Sequence, residues 1–245
     1  MFNIFKKSKV VFICTQEAFK DIYPPIYSRD LQRPFLQKIN SDFQHKAKQP
    51  VCPFRKLTST AKCDGIRDII STGYIIRLHR DLKINTNGDG ETFTWEKLSC
   101  GLEKDVGDVG WFSPGQYADY INLPPQTLRT VLKIHTPWLI ETDDFCFIQT
   151  HPSFSGEHRF TVVEGILDPL RNRQVNPILF WHVLQGGEVL KAGTPIAQLI
   201  PIHRKFLPEL VVTTEDKRQL QKKTINYLIA SSATTTNVSP SLFGI

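Results

Sequence analysis

Three short apolar runs in the second half of the chain give the clearest pattern of hydrophobic and polar positions. They cover residues 160–167, 178–184 and 196–202, and each is rich in Val, Ile, Leu or Phe. Asp-Pro, Asn-Pro, Gln-Gly-Gly and Ala-Gly-Thr-Pro, which all favour turns, separate the runs or lie just outside them. Short apolar runs bounded by turn residues predict buried antiparallel strands joined by tight turns.

A second pattern is an alternation of apolar and polar side chains over residues 71–84. Aliphatic side chains alternate there with Arg, His, Asp and Lys, which is typical of one long strand or a strand pair with two different faces. Asn87-Gly88 then supplies the favoured pair for a hairpin turn, and residues 93–98 are expected to return as a strand. Residues 10–14 predict a further strand near the start of the chain.

Proline-rich and polar segments lie between these strands. Over residues 22–34, Tyr23-Pro24-Pro25 and Arg33-Pro34 predict an extended connector, because Pro continues neither a helix nor a central strand. Residues 40–56 are polar and basic and predict a loop. Residues 60–70 predict a short helix, since Cys63, Ile66 and Ile70 share one helical face.

Two other segments predict additions to a β core. Residues 99–127 are rich in Gly, Pro and aromatic side chains and predict a long irregular insertion, a kind of segment that usually serves function or assembly. Residues 213–229 predict an amphipathic helix with acids in its first turn. The polar tail that follows, residues 230–245, predicts a mobile segment or one held by a partner.

These elements together predict a mainly β protein with few peripheral helices. Residues 1–59 are expected to form an N-terminal strand and an extended, Pro-containing arm. Residues 60–205 are expected to form the β core, with a long insertion at about 85–128, and residues 206–245 a C-terminal helix and flexible tail.

Composition limits the classes of function. The net charge of +6 is compatible with nucleotide or nucleic-acid binding, but the basic residues form no dense block, so nucleic acid is an unlikely partner. The five cysteines are odd in number and contain no Cys-x-x-Cys pair, which argues against a disulfide framework or a zinc site. Without a signal sequence or a long apolar run, we expect a soluble protein with no membrane contact.

Several of these segments resemble the deoxyuridine triphosphatase (dUTPase) family. Gly165-Ile166-Leu167-Asp168 is similar to that family's Gly-Val-Ile-Asp motif, and Gly193-Thr-Pro-Ile-Ala-Gln-Leu-Ile200 to its Gly-Asp-Arg-Ile-Ala-Gln-Leu-Ile strand. Residues 131–153 resemble the strands that lead into the family's Pro-Arg-Ser motif, and Thr72-Gly73-Tyr74 its Ala-Gly-Tyr-Asp motif. The resemblance covers roughly residues 70–84 and 130–205. The whole chain also resembles a family of phage-encoded proteins of similar length.

The dUTPase resemblance implies a distorted antiparallel β-sandwich or jelly-roll core. It also implies a homotrimer whose subunits exchange chain ends. In that family the residue matching Asp168 is the acid that activates water, Ser153 matches a phosphate-contacting serine, and Tyr74 matches the tyrosine beneath the deoxyribose. Pyrophosphate hydrolysis by such a site needs a general base, cations that neutralise the phosphates, and usually Mg²⁺.

The chain departs from the dUTPase pattern at the positions that bind phosphate in that family. Pro152 stands where the family has the Arg of Pro-Arg-Ser, and the Tyr that follows the catalytic acid is missing after Asp168. The Gly-rich, Arg-bearing closing motif has no counterpart in residues 230–245. Since a bidentate Arg supplies much of the electrostatic stabilisation in phosphate chemistry, these losses favour a non-catalytic binding or assembly protein of phage type, without cofactor.

The alternative is a nucleotide-binding protein or a nucleoside triphosphate pyrophosphatase with Asp168 as general base, and only then is Mg²⁺ required. Its ligand-binding candidates are Ser153, Tyr74, His151 and Arg171. His182 and His203 lie in or next to apolar runs, which predicts hydrogen-bonded core or rim residues, and the histidines lack the spacing of a metal site.

An aromatic set in the insertion predicts a protein-binding surface rather than a base-stacking platform, since few basic residues lie among its members. These partner-binding candidates are Trp111, Phe112, Tyr117 and Tyr120. The expected partners are further copies of the chain, with a trimer favoured, or other phage or virion proteins. The expected location is therefore the host cytoplasm or the virion.

Overall fold

The computed structural model describes residues 8–47, 63–97 and 109–204 of the chain. Strands predominate within these residues, and two α-helices accompany them. The helices are α1 (Ser28–Ala47) and α2 (Asp64–Ser71). The strands are β1 (Val11–Cys14), β2 (Ile26–Tyr27), β3 (Tyr74–Arg77), β4 (Leu82–Asn87), β5 (Phe93–Lys97), β6 (Val109–Phe112), β7 (Val131–Ile134), β8 (Trp138–Glu141), β9 (Phe145–Thr150), β10 (Phe160–Val162), β11 (Gly165–Leu167), β12 (Ile178–Trp181), β13 (Gln185–Leu190) and β14 (Pro195–His203).

All strand pairs in the described residues are antiparallel. The largest sheet has the order β11-β9-β14-β3-β2, a second has the order β10-β12-β7-β6, and a third has the order β13-β4-β5. Strands β1 and β8 form a two-stranded sheet. The prediction of a mainly β, antiparallel, sandwich-like protein is confirmed.

One apolar core joins the sheets. Its largest fully buried side chains include Trp181 on β12, Phe147 on β9 and Phe160 on β10. The β-branched and aromatic runs seen in the sequence supply these side chains, because successive strand residues point to opposite faces and every second one reaches the interior. Residues that the sequence pattern marks as apolar thus hold the sheets together.

The apolar run at 160–167 does not form one strand. Its first part is β10, which pairs with β12, and its last part is β11, which pairs with β9 in a different sheet. The Gln-Gly-Gly sequence predicted as a turn is the start of β13, which pairs with β4 along its whole length. A side chain at Gly187 would clash with the side chain of Asn85 on β4, so glycine there permits close strand approach rather than a turn.

The prediction of an extended arm over residues 22–34 is wrong in its second half. The prediction of a loop over residues 40–56 is wrong in its first part. Residues 28–47 form helix α1, with Pro34 inside it. Tertiary contacts outweigh the lost hydrogen bond at Pro34: Ser28 Oγ donates to the Ile70 carbonyl at 2.8 Å, and the Phe35 ring stacks on Phe154 with centroids 4.9 Å apart.

The insertion predicted at about 85–128 is only partly irregular. The β4–β5 hairpin forms as expected, and Asp89 Oδ1 accepts hydrogen bonds from the backbone N–H groups of Glu91 and Thr92 in its turn. However, β6 lies in the middle of the predicted irregular segment and pairs with β7, so it belongs to a core sheet. After β6 come two single 3₁₀ turns, Pro114–Gln116 and Ala118–Tyr120.

Some predictions fall outside the described residues. These are the loop at 48–56, the segment 98–108 and everything after residue 204, including the predicted helix at 213–229 and its tail. Among the residues that are described, no helix has the length and apolar character needed to cross a bilayer.

Candidate functional site

Asp168 lies directly after β11, and its carboxylate is occupied by groups of the chain itself. Oδ1 is 2.5 Å from Nη1 of Arg204 and accepts a hydrogen bond from the backbone N–H of Leu170 at 3.0 Å. The Asp168 carbonyl accepts from the N–H groups of Arg171 and Asn172 at 2.9 Å. The side chain of Asp168 is 24% exposed. The hydrogen bonds of Asp168 therefore stabilise the turn that follows β11, and its ion pair connects this turn to the end of β14.

Arg204 fixes the position of this ion pair. Its Nε and Nη2 atoms donate to the carbonyls of Asp143 and Phe145 at 3.2 and 2.9 Å, so the guanidinium joins the β8–β9 turn to Asp168. The hydrogen bond from Arg204 is the main reason that the pKa of Asp168 lies below its ordinary value, with smaller contributions from the Leu170 N–H and from Arg171. A carboxylate stabilised in its charged form in this way is a weaker base.

The register of the largest sheet separates Asp168 from Tyr74. Tyr74 on β3 lies opposite Leu199, and Leu199 lies opposite Gln149 on β9. Asp168 follows Leu167, whose partner is Phe147. The two residues are thus three strands and three residues apart, a distance of roughly 17 Å at ordinary strand spacing and rise. Within one chain the two residues thus lie far apart on the sheet.

Tyr74 is part of an aromatic cluster. Its ring packs against Phe12, Tyr27 and Phe147, with centroid distances of 5.2, 5.6 and 6.3 Å. Burial is the main cause of a raised Tyr74 pKa, and Tyr27 adds to it. These contacts are those of a side chain that packs against the core.

Ser153 and His151 lie at the opposite end of β9 from Asp168. Because β11 runs antiparallel to β9, Asp168 lies beside the first residues of β9, whereas His151 follows its last residue, Thr150. Four residues of β9 lie between the position beside Asp168 and His151, which corresponds to roughly 15 Å along the strand. The structure therefore does not bring Asp168 together with Ser153 or His151 within the chain.

A buried glutamine holds the Ser153 loop. Gln198 on β14 is fully buried, and its Oε1 accepts from the Ser153 N–H at 3.2 Å. Its Nε2 donates to the carbonyls of Ile69 and Thr72 at 2.7 and 2.9 Å. Gln32 on α1 donates to the Ser153 carbonyl at 2.5 Å. Both backbone groups of Ser153 are used in joining the loop to α1 and β14, which is a structural role.

The histidines near this loop are bonded to hydroxyl groups. His182 lies between Thr127 Oγ1, 3.1 Å from Nδ1, and Thr161 Oγ1, 2.7 Å from Nε2, as expected for a rim histidine. His151 Nε2 lies 3.4 Å from Ser155 Oγ. Burial is the main cause of the lowered pKa of each ring. Within the described ranges, no three His, Cys, Asp or Glu side chains are grouped closely enough to hold a metal ion.

A shallow cleft of about 480 Å³ lies beside the Asp168 turn, and Arg171 and Arg173 line it. Arg171 is 88% exposed and its Nε is 3.7 Å from Asp168 Oδ2. Arg173 Nη2 is 3.0 Å from Oε1 of Glu141. Each guanidinium of the cleft thus faces a carboxylate, which offsets much of its attraction for a phosphate.

The four aromatic partner-binding candidates divide into two groups. Phe112 packs against Tyr117, and Tyr117 packs against Phe180 on β12, at centroid distances of 6.3 and 5.9 Å. Trp111 and Tyr120 point outward, with 60% and 79% of their surface exposed. Only the second group is available for a partner.

Trp111 lines an open groove between β5 and β6, which are the edge strands of two different sheets. The groove encloses about 530 Å³. We call it the Trp111 groove, and its lining residues are Glu91, Thr92, Phe93, Thr94, Trp95, Trp111, Ser113 and Thr130. Sequence reasoning missed Phe93 and Trp95 as parts of this surface. It also missed Arg204, because a contact between residues 36 positions apart leaves no signal in a single sequence.

No family model matches this chain, and no curated protein matches it.

Proposed function

We propose that this protein is a non-catalytic binding or assembly protein built on a dUTPase-like β scaffold, of the phage-encoded type that its sequence resembles. It acts in the host cytoplasm or in the virion. Its partners are further copies of the chain, as a trimer, or other phage or virion proteins.

The observation that carries this proposal is the ion pair between Asp168 and Arg204. An acid that activates water must offer a free carboxylate oxygen to the water and face a ligand. In this chain one oxygen of Asp168 accepts from Arg204 and from the Leu170 N–H, and the other faces Arg171. The separation of Asp168 from Tyr74, Ser153 and His151 supports the same conclusion.

Exposed aromatic side chains support the binding role. Trp111 and Tyr120 expose most of their large apolar surfaces to solvent, although burying such rings is favourable. Trp111 lies on β6, and Tyr120 lies in the second 3₁₀ turn that follows β6. A partner that covers either ring buries apolar surface that is now in water.

The test is a hydrolysis assay with the full chain, Mg²⁺ and a panel of ribo- and deoxyribonucleoside triphosphates. We expect no release of pyrophosphate or phosphate above the rate without protein, for the wild type and for Asp168→Asn alike. Turnover of any one nucleotide that Asp168→Asn abolishes would contradict the proposal.

Nucleotide binding is the second candidate, and the cleft beside the Asp168 turn is the observation that favours it. Arg171 and Arg173 both line this cleft, and Arg171 is almost fully exposed. A rise in thermal stability with one nucleotide that is lost in an Arg171→Ala/Arg173→Ala double variant, but kept in Lys133→Ala, would establish it. Without such a response the cleft is an ordinary surface depression.

A further inference from the structure

We infer that the Trp111 groove is a binding site for a neutral, hydroxyl-rich ligand of the saccharide class. This inference deepens the proposed binding function and rests on it. Of the eight lining residues within the described ranges, five are polar (Glu91, Thr92, Thr94, Ser113 and Thr130), and the other three are aromatic. A groove of aromatic walls and hydroxyl groups matches a ligand that has both C–H faces and O–H edges.

The aromatic walls form a corner. The rings of Trp111 and Phe93 have centroids 6.0 Å apart and planes inclined at 76°, and Trp111 is 60% exposed. A saturated six-membered ring of the ligand can stack the C–H groups of one face on one aromatic ring. The edge of the same saturated ring can then contact the other aromatic ring. The negative face of an aromatic ring favours such weakly positive C–H groups.

Polar groups surround this corner. Ser113 Oγ donates to Gln116 Oε1 at 3.2 Å, and Thr130 Oγ1 donates to the Glu91 carbonyl at 2.6 Å. A hydroxyl oxygen that donates its proton to the protein keeps lone pairs, so both oxygens remain acceptors for the hydroxyl groups of a ligand. The Glu91 carboxylate adds a stronger acceptor on the same side.

The charges around the groove favour a neutral ligand. Arg129 Nη1 is 3.2 Å from Glu91 Oε1, and Nη2 of the same guanidinium bonds to Asp119. Lys97 Nζ lies 5.9 Å from the centre of the Trp95 ring. Asp89 adds a further carboxylate, which accepts hydrogen bonds from the N–H groups of Glu91 and Thr92. Among the residues that the structure describes around the groove, carboxylates thus offset the positive groups, and there is no Arg cluster of the kind that binds a phosphate or a nucleic acid.

The lining also distinguishes a saccharide from an extended peptide. A peptide that adds to a sheet edge needs pockets for alternate side chains. The Trp111 groove instead has a single aromatic corner bordered by hydroxyl groups. Its volume of about 530 Å³ is within the usual range for small-ligand sites, and is enough for a short oligosaccharide.

The experiment titrates the full chain with maltotriose, cellotriose and triacetylchitotriose and follows tryptophan fluorescence. Trp138 and Trp181 are almost completely buried, so a ligand in the groove acts on Trp95 and Trp111. We expect a saturable change with at least one of the three sugars. We expect Trp111→Ala to weaken binding by about tenfold or more, because stacking and burial on the ring are lost.

Two variants serve as controls. Ile166→Ala removes an apolar side chain of β11 that is 65% exposed and lies outside the groove, and it is expected to leave the affinity within about twofold. Trp111→Phe keeps a ring at the site and is expected to retain part of the affinity. Near-UV circular dichroism verifies that each variant is folded, and saturation-transfer NMR on the sugar protons provides a second readout that needs no tryptophan.

Four results would overturn the inference: no saturable response to any of the three sugars, equal affinity in Trp111→Ala, displacement of the sugar by ATP, or a change in oligomer mass with Trp111→Ala. The last would assign the groove to a second copy of the chain. None of them depends on nucleotide turnover, so failure of this inference is distinguishable from failure of the proposed function.

Discussion

The Asp168 turn and the Trp111 groove both lie where strands end, but their side chains have opposite environments. At the Asp168 turn, a charged group that could face a ligand is engaged by Arg204 and by its own backbone. At the Trp111 groove, an apolar ring that could be buried is left 60% exposed. A polar residue at a strand end is therefore weak evidence of a site unless its bonding capacity is free.

The same contrast extends to residues 193–200. Gln198 within them uses its amide nitrogen and oxygen on backbone groups of two other segments, at Ile69 and Thr72 of α2 and its C-cap and at Ser153. The segment thus stabilises the sheet, whereas the Trp111 side chain in the groove lies mostly in water. Stability measurements on variants of the two regions test this difference.

The largest effect is expected for Gln198→Leu. The variant keeps the volume but leaves two carbonyls and one N–H unsatisfied in a buried position, which costs about 3 kcal/mol in the free energy of unfolding. Urea denaturation followed by circular dichroism measures it. The matched control is Gln174→Leu, where the glutamine is exposed and the expected change is within about 0.5 kcal/mol. Equal effects of the two variants would show that the Gln198 network is not structural.

Arg204→Ala is expected to have the second largest effect. It removes two hydrogen bonds to backbone carbonyls as well as the ion pair with Asp168, and the arginine side chain is only 20% exposed. The expected loss is about 2 kcal/mol in the free energy of unfolding. Arg171→Ala removes a guanidinium that is 88% exposed and faces the same carboxylate, so its expected effect is below about 0.5 kcal/mol. A larger effect for Arg171→Ala would reverse the roles of the two arginines.

Asp168→Asn is expected to lower the Tm by a few degrees at neutral pH and by less in acid. The folded-state pKa of Asp168 is lowered, so its charge stabilises the fold above the unfolded-state pKa, and this contribution is lost as the pH falls through the folded-state pKa. The difference in Tm between wild type and variant is therefore expected to be constant from pH 6 to 8 and to shrink below about pH 4. A Tm difference that grows on acidification contradicts the ion pair.

The smallest effect on stability is expected for Trp111→Ala, within about 1 kcal/mol, because most of the ring is already in water. Trp181→Ala is the comparison, since this tryptophan is fully buried in the core and its loss is expected to cost about 3–5 kcal/mol. If Trp111→Ala approaches the cost of Trp181→Ala, the ring supports the fold and the contrast between the two regions fails.

The sequence pattern predicted the strands well where packing decides them. The apolar run at 160–167 contains β10 and β11, the other two runs became β12 and β14, and the Asn87-Gly88 signal became the β4–β5 hairpin. Alternation and turn residues act locally, so one sequence is sufficient to read them.

Helix α1 and strand β13 were mispredicted because their causes are not local. Pro34 disfavours a helix, but contacts of Ser28 with Ile70 and of Phe35 with Phe154 stabilise one. Gly186 and Gly187 are typical of a turn, but their pairing with Thr86 and Asn85 on β4 makes them part of a strand. In both cases the deciding partner is far away along the chain.

The candidate site shows the same limit more strongly. Asp168, Ser153 and Tyr74 were each identified from motifs, but only the strand register shows that they lie apart within one chain. The engagement of Asp168 by Arg204 depends on where β14 ends relative to β11. The residue types indicate which reaction a site could perform, whereas the strand pairing determines whether those residues lie close together.

The most direct test of this account is a carboxyl ¹³C NMR titration of Asp168 in the wild type and in Arg204→Ala. We predict a wild-type pKa below the ordinary value of about 3.9, and a rise toward that value in the variant, because the principal hydrogen bond to the carboxylate is lost. A wild-type pKa at or above the ordinary value, unchanged by Arg204→Ala, would show a free carboxylate and contradict the claim that Asp168 is a structural residue.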